Sequence, residues 1–246
     1  MYKLEYSALS DVGCVRSDNQ DRWGADVDQY LFLVADGVGG SRDGALAAQT
    51  MVDILPRYVA HHLPPDQRDA ADAPERLARA VAELSDDLHA KAQTDARFAG
   101  ANSTLVAVVI AGSRALVAHL GDSRAYLRRD KPLQRLTRDH TLVQALVQAH
   151  QVDAADTGKH RARSIVTKYM GMRPPAHADS SAVELQAGDR ILLCSDGLHG
   201  VVNETALAQI LDANPAPGYA CAALIKAARE AGGPDNITAL VINVSG

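Results

Sequence analysis

Four aspartates lie at the ends of apolar runs, where their carboxylates could act together. Asp36 follows YLFLVA, Asp122 follows ALVAHLG, Asp196 follows RILLCS, and Asp235 stands just before ITALVINV. Taken singly, each has an ordinary explanation, because Asp is common in turns and its side chain bonds nearby backbone amides. The recurrence of the pattern is harder to explain as four unrelated turns.

Carboxylates gathered at one place repel one another unless cations neutralise them. Oxygen ligands without an accompanying His or Cys pattern indicate magnesium or manganese rather than zinc. Gly37 directly follows Asp36, and a residue without a side chain lets its carbonyl approach an ion closely. Two such ions about 4 Å apart make a site for phosphoryl transfer to water.

The apolar runs that carry these aspartates have strand length. Their hydrophobicity is continuous rather than alternating, which predicts that both faces of each strand are covered. Two of them follow each other across Gly112-Ser113 and continue into GDSRAYL, as antiparallel hairpins do. The predicted strands are Tyr30–Ala35, Thr104–Ala111, Ala115–Leu120, Arg190–Cys194 and Ile237–Val244.

Helical patterns occur in pairs rather than after every strand, which favours an α+β layered sandwich over a parallel sheet. We predict helices at Gly44–His61, where Pro56 ends or kinks the helix, and at Glu75–Gln93, Glu204–Leu211 and Tyr219–Glu230. The proline-flanked segment 64–74 is predicted as a loop. Segment 151–178 is irregular, and we expect it to be an excursion near the active face.

Composition excludes some classes of protein. The chain has 246 residues, 47% of them hydrophobic, a net charge of -5 and a pI near 6.0. This acidity disfavours a nucleic-acid partner. Cys14, Cys194 and Cys221 are odd in number and lack CxxC spacing, so we expect no disulfide framework and a cytoplasmic location. We also expect no signal peptide and no membrane span, since the apolar runs are short.

Seven motifs follow one another along the chain. They are SDVGCVRSDNQDRW (Ser10–Trp23), LFLVADGVGG (Leu31–Gly40), GANSTLVAVV (Gly100–Val109), HLGDSRAYL (His119–Leu127), LTRDHT (Leu136–Thr141), ILLCSDGL (Ile191–Leu198) and GGPDNITALVI (Gly232–Ile242). Read in order, they closely resemble the metal-dependent protein phosphatases, the type 2C serine/threonine family, in their compact bacterial form. A single DGxGG would be weak support, but the resemblance covers nearly the whole chain.

The resemblance implies an α-β-β-α sandwich of two antiparallel sheets flanked by helical layers. It implies one catalytic domain over 1–246, with a flap-like excursion at about 141–178. It also implies two core Mn²⁺ or Mg²⁺ ions, with a weaker third. Asp36 would bridge the core ions, Gly37 would offer its carbonyl, Asp196 and Asp235 would hold the second ion, and Asp122 would help to hold the third.

By the same resemblance, Arg16 would grip the substrate phosphate and Asp21 would order metal-bound water. Asn236 would support the site through local structure, and His140 would be structural. The sequence also departs from the family: Val38 and Ser41 stand where relatives can offer histidine. Cys14 lies near Arg16 but not at the CxxxxxR spacing of thiol-based phosphatases.

The expected reaction is hydrolysis of phosphoserine and phosphothreonine on proteins, opposing serine/threonine kinases. The expected partners are phosphorylated proteins, a kinase and its substrates, and the expected state is a monomer. Two alternatives stay open. The fold could serve as a phosphoprotein-binding module without catalysis, or the enzyme could act on small phosphate esters. A metal-dependent nuclease is disfavoured because no strongly basic character is present.

Overall fold

The structure is a computed structural model that describes residues 2–38, 42–129, 132–153, 156–157 and 160–246, without the side chains of 42 and 43. Ser41 and the glycine pair at 39–40 lie outside this part. The described chain forms strands β1 Lys3–Asp11, β2 Asp21–Asp26, β3 Leu31–Val38, β4 Asn102–Ser103, β5 Leu105–Ala111, β6 Arg114–Leu120, β7 Arg124–Arg128, β8 Gln134–Arg135, β9 Asp179–Glu184, β10 Arg190–Cys194 and β11 Ile237–Ser245.

The strands form two antiparallel sheets. The first has the order β1-β11-β10-β7-β8, and the second has the order β2-β3-β5-β6-β9, with β4 paired to β3. The helices are α1 Arg42–His62, α2 Ala73–Thr94, α3 Leu142–Gln148, α4 Asp196–His199, α5 Glu204–Ala213 and α6 Pro217–Glu230.

Three apolar cores define the layers. One lies between α1, α2 and the outer face of the second sheet, and another between α4–α6 and the outer face of the first. The third fills the space between the sheets, where Phe32 and Val34 meet Leu193 and Leu240. Along β3 the side chains alternate between two cores, so the strand is apolar throughout. The predicted α+β sandwich is confirmed.

The predicted helices are all present, but Pro56 does not end the first. Helix α1 runs through Pro56 to His62. Proline in a helix interior loses a backbone hydrogen bond and crowds the preceding turn. Here the flanking Leu55 and Val59 are completely buried, and this packing offsets the loss. Of the two effects predicted for Pro56, ending the helix is therefore wrong.

The hairpin expectation holds for β5 and β6 but fails at GDSRAYL. Strand β7 pairs with β10 in the first sheet, whereas β6 belongs to the second. Gly121, with φ of +110°, lies at the crossing, and a Cβ there would meet the Thr104 side chain at 2.6 Å. The chain therefore changes sheets at Gly121-Asp122, which brings Asp122 to the end of the sandwich.

Segment 141–178 begins with α3 and then runs without regular strands in its described part. Thr141 and Val166 form a bridge within it, and a bridge between Ser103 and Met170 joins it to the sandwich. We call this segment the flap. Among the helices of the described residues, none combines the length and apolar content needed to span a membrane.

Candidate metal centre

Strand register brings the predicted carboxylates together. On the second sheet, Asp21 of β2 pairs directly with Asp36 of β3. On the first sheet, Asp196 follows the end of β10 and Asp235 precedes the start of the neighbouring β11. Both pairs lie at one end of the sandwich, so the two sheets contribute carboxylates to one cleft.

Two glycines allow the backbones around the cleft to approach closely. A Cβ on Gly197 would lie 1.9 Å from the carbonyl oxygen of Asn236, and one on Gly37 would lie 2.4 Å from the Gly44 backbone. Neither contact is possible for a residue with a side chain. Gly197 therefore lets the loop of Asp196 rest on the loop of Asp235.

The cleft has a volume of about 450 Å³. It brings together seven of the predicted site residues and also exposes two residues of the flap, Ser164 and Val166. The predicted residues in its wall are Arg16, Asp36, Gly37, Asp122, Asp196 and Asp235, joined by Asn236. Asp21 lies beneath the cleft, 1% exposed.

The carboxyl groups of the cleft are buried close together, and this raises their pKa values. Burial and the charges of Asp21 and Asp196 raise the pKa of Asp36 well above its usual range. Burial and the charge of Asp235 raise the pKa of Asp196. Burial, followed by the charge of Asp196, raises the pKa of Asp122 to about 7. The folded chain thus holds these groups together at a cost that an added cation would remove.

The two carboxylate oxygens of Asp21 differ in their hydrogen bonding. Its Oδ2 accepts a hydrogen bond of 2.6 Å from the Ser195 hydroxyl, while its buried Oδ1 has no partner. Burial raises the pKa of Asp21 to about 6. An unpartnered buried carboxylate oxygen beside three other carboxylates is suited to a water that solvates a hard cation. The donor set therefore fits magnesium or manganese.

Arg16 lies at the mouth of the cleft. Its Nη2 donates a 2.8 Å hydrogen bond to Oδ2 of Asp235, and its side chain is 52% exposed. This hydrogen bond raises the pKa of Arg16 above its usual value. The guanidinium thus faces both solvent and one predicted metal ligand.

Asn236 ties the loop of Arg16 to the end of the sandwich. Its Nδ2 donates to the carbonyls of Val12 and Asp18, and its Oδ1 accepts from the backbone N–H of Gln20. Its contacts are therefore with the backbone of residues 12–20. This geometry agrees with the expectation of a role in local structure.

Two supporting residues were missed by the sequence analysis. Thr104 donates its backbone N–H to the carbonyl of Asp36, and its hydroxyl accepts from the Asp36 N–H. Ser195 joins Asp21 to β11, because its Oγ accepts from the Thr238 N–H. Both stand in the quoted GANST and ILLCSDGL motifs, which were the available signals.

His119, His140 and Asp179 form a second cluster with metal-ligand chemistry, but its hydrogen bonds disfavour a metal. His140 Nδ1 accepts from the Gly121 N–H, so its Nε2 carries the ring proton, 3.3 Å from Asp179. The ammonium of Lys168 already lies 3.0 Å from Asp179. We therefore interpret this cluster as the attachment of the flap.

Comparison with known proteins agrees with this geometry. The sequence profile of the family described as Protein phosphatase 2C matches residues 15–217. The chain is 31% identical over 236 residues to the serine/threonine phosphatase stp of Listeria monocytogenes, covering 95% of this chain and 93% of that protein. The chain belongs to the protein phosphatase 2C family.

The serine/threonine protein phosphatase PstP of Mycobacterium tuberculosis is 34% identical over 241 residues, covering 98% of this chain. The chain spans only 45% of that relative's length. A crystal structure of the PstP catalytic domain in complex with two manganese ions has a TM-score of 0.82 and 32% identity, with complete coverage of both chains. The predicted family, fold and enzyme class, a metal-dependent protein phosphatase, are confirmed.

Proposed function

We propose that this type 2C chain hydrolyses phosphoserine and phosphothreonine esters of proteins, using divalent cations held by Asp36, Asp196 and Asp235. The observation that carries the proposal is the convergence of buried carboxyls from both sheets on one open cleft, with Arg16 at its mouth. Bound cations supply charge neutralisation and an activated water.

The chain's own groups have separate tasks in this proposal. Asp36 is paired in strand register with Asp21, and the charges of Asp21 and Asp196 raise its pKa. This position beside carboxyls of both sheets suits a bridging role. The backbone carbonyl of Gly37 is a further oxygen donor in the cleft wall. Asp21 offers its unpartnered oxygen to a water in the cleft. Arg16 presents a guanidinium that can hold two phosphate oxygens at once.

The finer parts of the proposal follow from the same residues. We assign two core ions, Mn²⁺ or Mg²⁺, to Asp36, Asp196 and Asp235, and a weaker third to Asp122 with Asp196. We further propose that 1–246 acts as one catalytic domain, that the chain is monomeric, and that it opposes a serine/threonine kinase in the cytoplasm. The three free cysteines support the location.

A metal titration on phosphopeptides tests the proposal. We expect turnover that requires added Mn²⁺ or Mg²⁺ and is lost with chelator. The Asp36→Asn variant should lose turnover at saturating metal, whereas Asp53→Asn, an exposed carboxyl on α1, should not. Full turnover after dialysis against excess chelator would overturn the metal requirement. Phosphopeptide binding without hydrolysis in the metal-loaded parent would instead favour the non-catalytic alternative.

A further inference from the structure

A second groove opens from the metal cleft and has no role in the function proposed so far. It has a volume of about 520 Å³ and lies between α3 with the flap on one side and α4 on the other. Asp122, Ser164, Asp196 and Asp235 line both the cleft and this groove. We call it the side groove. A molecule held at the aspartates can therefore continue into it.

The wall of the side groove is suited to a polypeptide segment. Val143 and Val147 of α3 face it from one side, and Val201 and Pro234 from the other. The amide of Gln144 adds a donor and an acceptor. The rest of the wall is mostly polar and charged, so the groove offers a peptide both apolar contacts and hydrogen-bonding partners. An aryl phosphate has no chain with which to use them.

Three aspartates in the side groove are proposed metal ligands, so bound cations would neutralise them. The remaining charged residues of the wall are mainly arginines. Arg124 and Asp139 neutralise each other through two hydrogen bonds of 2.8 and 2.6 Å, and both side chains are largely buried. Arg135 is different. Its closest approach to Asp139 is 3.9 Å, its side chain is 32% exposed, and that carboxylate is already engaged by Arg124. Arg135 is thus a weakly partnered cation in the groove wall.

We propose that the side groove binds the segment of a phosphoprotein substrate that adjoins its phosphorylated residue, and that Arg135 selects an acidic side chain there. This rests on the proposed function, because the aspartate centre must first hold the phosphate. The occupant is a peptide because the groove continues from the cleft. Its preferred charge is negative because the weakly paired Arg135 faces it, as does Arg163 of the flap.

The test is a set of phosphothreonine peptides in an alanine host, each with one Glu or one Lys at a position from four residues before to four residues after the phosphothreonine. The readout is the ratio of kcat/KM for the Glu peptide to that for the Lys peptide within one variant, so a general loss of activity cancels. We expect the parent to favour Glu by about two- to fivefold at positions on one side of the phosphothreonine, the range expected of a partly exposed charge pair. Added salt should reduce the ratio.

Substitutions at Arg135 then assign the preference to a residue. Arg135→Ala should bring the ratio close to one, Arg135→Lys should retain part of it, and Arg135→Glu should reverse it towards Lys peptides. The matched control is Arg138→Ala, an exposed arginine shortly after β8 that does not line the groove. It should keep the parent ratio.

The outcomes separate this inference from the proposed function. Turnover of every peptide with a ratio of one in the parent would overturn the side-groove inference and leave the phosphatase function intact. A Glu preference that survives in Arg135→Ala would overturn the assignment to Arg135. Absence of turnover for both phosphopeptides and an aryl phosphate in the metal-loaded parent would count against the proposed function itself.

Discussion

At the mouth of the cleft, Arg16 can pair either with Asp235 or with the phosphate of a substrate. In the structure it donates to Asp235, but both side chains are substantially exposed, and an exposed ion pair contributes little free energy. A doubly charged phosphate is a stronger partner for a guanidinium because it can accept two parallel hydrogen bonds. The pair with Asp235 is therefore readily exchanged for a contact with substrate.

We predict that Arg16→Ala lowers kcat/KM for phosphopeptides by about tenfold to about a hundredfold, the loss expected when a charge-assisted contact is removed. Arg16→Lys should recover only part, since an ammonium lacks the planar fork. Steady-state kinetics at saturating metal measure both effects, with Arg97→Ala, an exposed arginine paired with Asp95, as the control. Unchanged kinetics in Arg16→Ala would remove Arg16 from phosphate binding.

Asp122 gives a pH-dependent prediction for the metal-free protein. Its pKa is raised to about 7 from a usual value of 3.8, mainly by burial. A carboxyl whose pKa is raised on folding costs nothing below its unfolded pKa, and it destabilises the fold progressively as pH rises from the unfolded pKa to the folded pKa. The destabilising contribution of Asp122 therefore develops between about pH 4 and pH 7.

Asp122→Asn removes that ionisation with little change of shape. In excess chelator, we expect the variant to unfold like the parent at pH 4 and to be more stable by about 4 kcal/mol at pH 8, given about 1.4 kcal/mol per pKa unit. Urea unfolding at both pH values measures the difference. Equal stability at pH 8 would show that Asp122 does not bear an unfavourable charge in the metal-free fold.

At the scale of elements, several contacts attach the flap to the sandwich. The Thr167 N–H donates to the His140 carbonyl at 2.7 Å, and the Met170 N–H donates to the Ser103 carbonyl at 2.7 Å. Lys168 adds a 3.0 Å ion pair with Asp179 at the start of β9. Because Ser164 and Val166 of this same segment line the cleft, the attachment helps to set the cleft's wall.

We predict that Lys168→Met loosens this attachment. Backbone amides of residues 160–170 should exchange with solvent about two- to fivefold faster, as expected for a lost ion pair that is only partly buried. Hydrogen exchange followed by mass spectrometry measures this. Lys226→Met removes a comparable but more exposed pair on α6 and should leave the flap unchanged. Unaltered exchange over 160–170 in Lys168→Met would show that the backbone contacts alone hold the flap.

The elements differ in how well the sequence predicts them. The interior strands β3, β5, β6, β10 and β11 were predicted because both their faces are buried, which makes them apolar throughout. Strands β1, β2 and β9 were missed. Each is an edge strand with many half-exposed residues, such as those of DSSAVE in β9, so its sequence resembles a loop.

The residues of the site also differ in how well the sequence predicts them. Asp36 and Asp196 each adjoin a strongly patterned strand and glycine, so they were predictable from the residues alone. The pairing of Arg16 with Asp235, and the support of Asp21 by Ser195, join residues far apart in the chain. Such contacts depend on how the two sheets meet, and no local pattern contains that information.

At the scale of the whole molecule, the proposed ligands belong to different parts of the sandwich. Asp36 comes from the second sheet, whereas Asp196 and Asp235 come from the ends of strands in the first. An apolar core holds the sheets together behind them. At the cleft, the buried carboxyls repel one another instead. Cation binding would therefore join the two sheets at the end of the sandwich where repulsion between carboxyls destabilises the metal-free protein.

We therefore predict that Mn²⁺ raises the unfolding temperature of the whole chain. A ligand that binds only the folded state at a hundredfold excess over its Kd stabilises it by about 2.7 kcal/mol. For a chain of this size that corresponds to roughly 5–10 °C.

Differential scanning calorimetry with chelator and with saturating Mn²⁺ measures the shift. Asp36→Asn should lose most of it because this residue links the two sheets' ligands, whereas Asp53→Asn on the exposed surface of α1 should keep it. The metal-free Asp36→Asn protein should also unfold at a higher temperature than the metal-free parent, because one repelling carboxyl is gone. A full Mn²⁺ shift in Asp36→Asn would mean that the ions bind within one sheet alone, and the bridging role of Asp36 would be wrong.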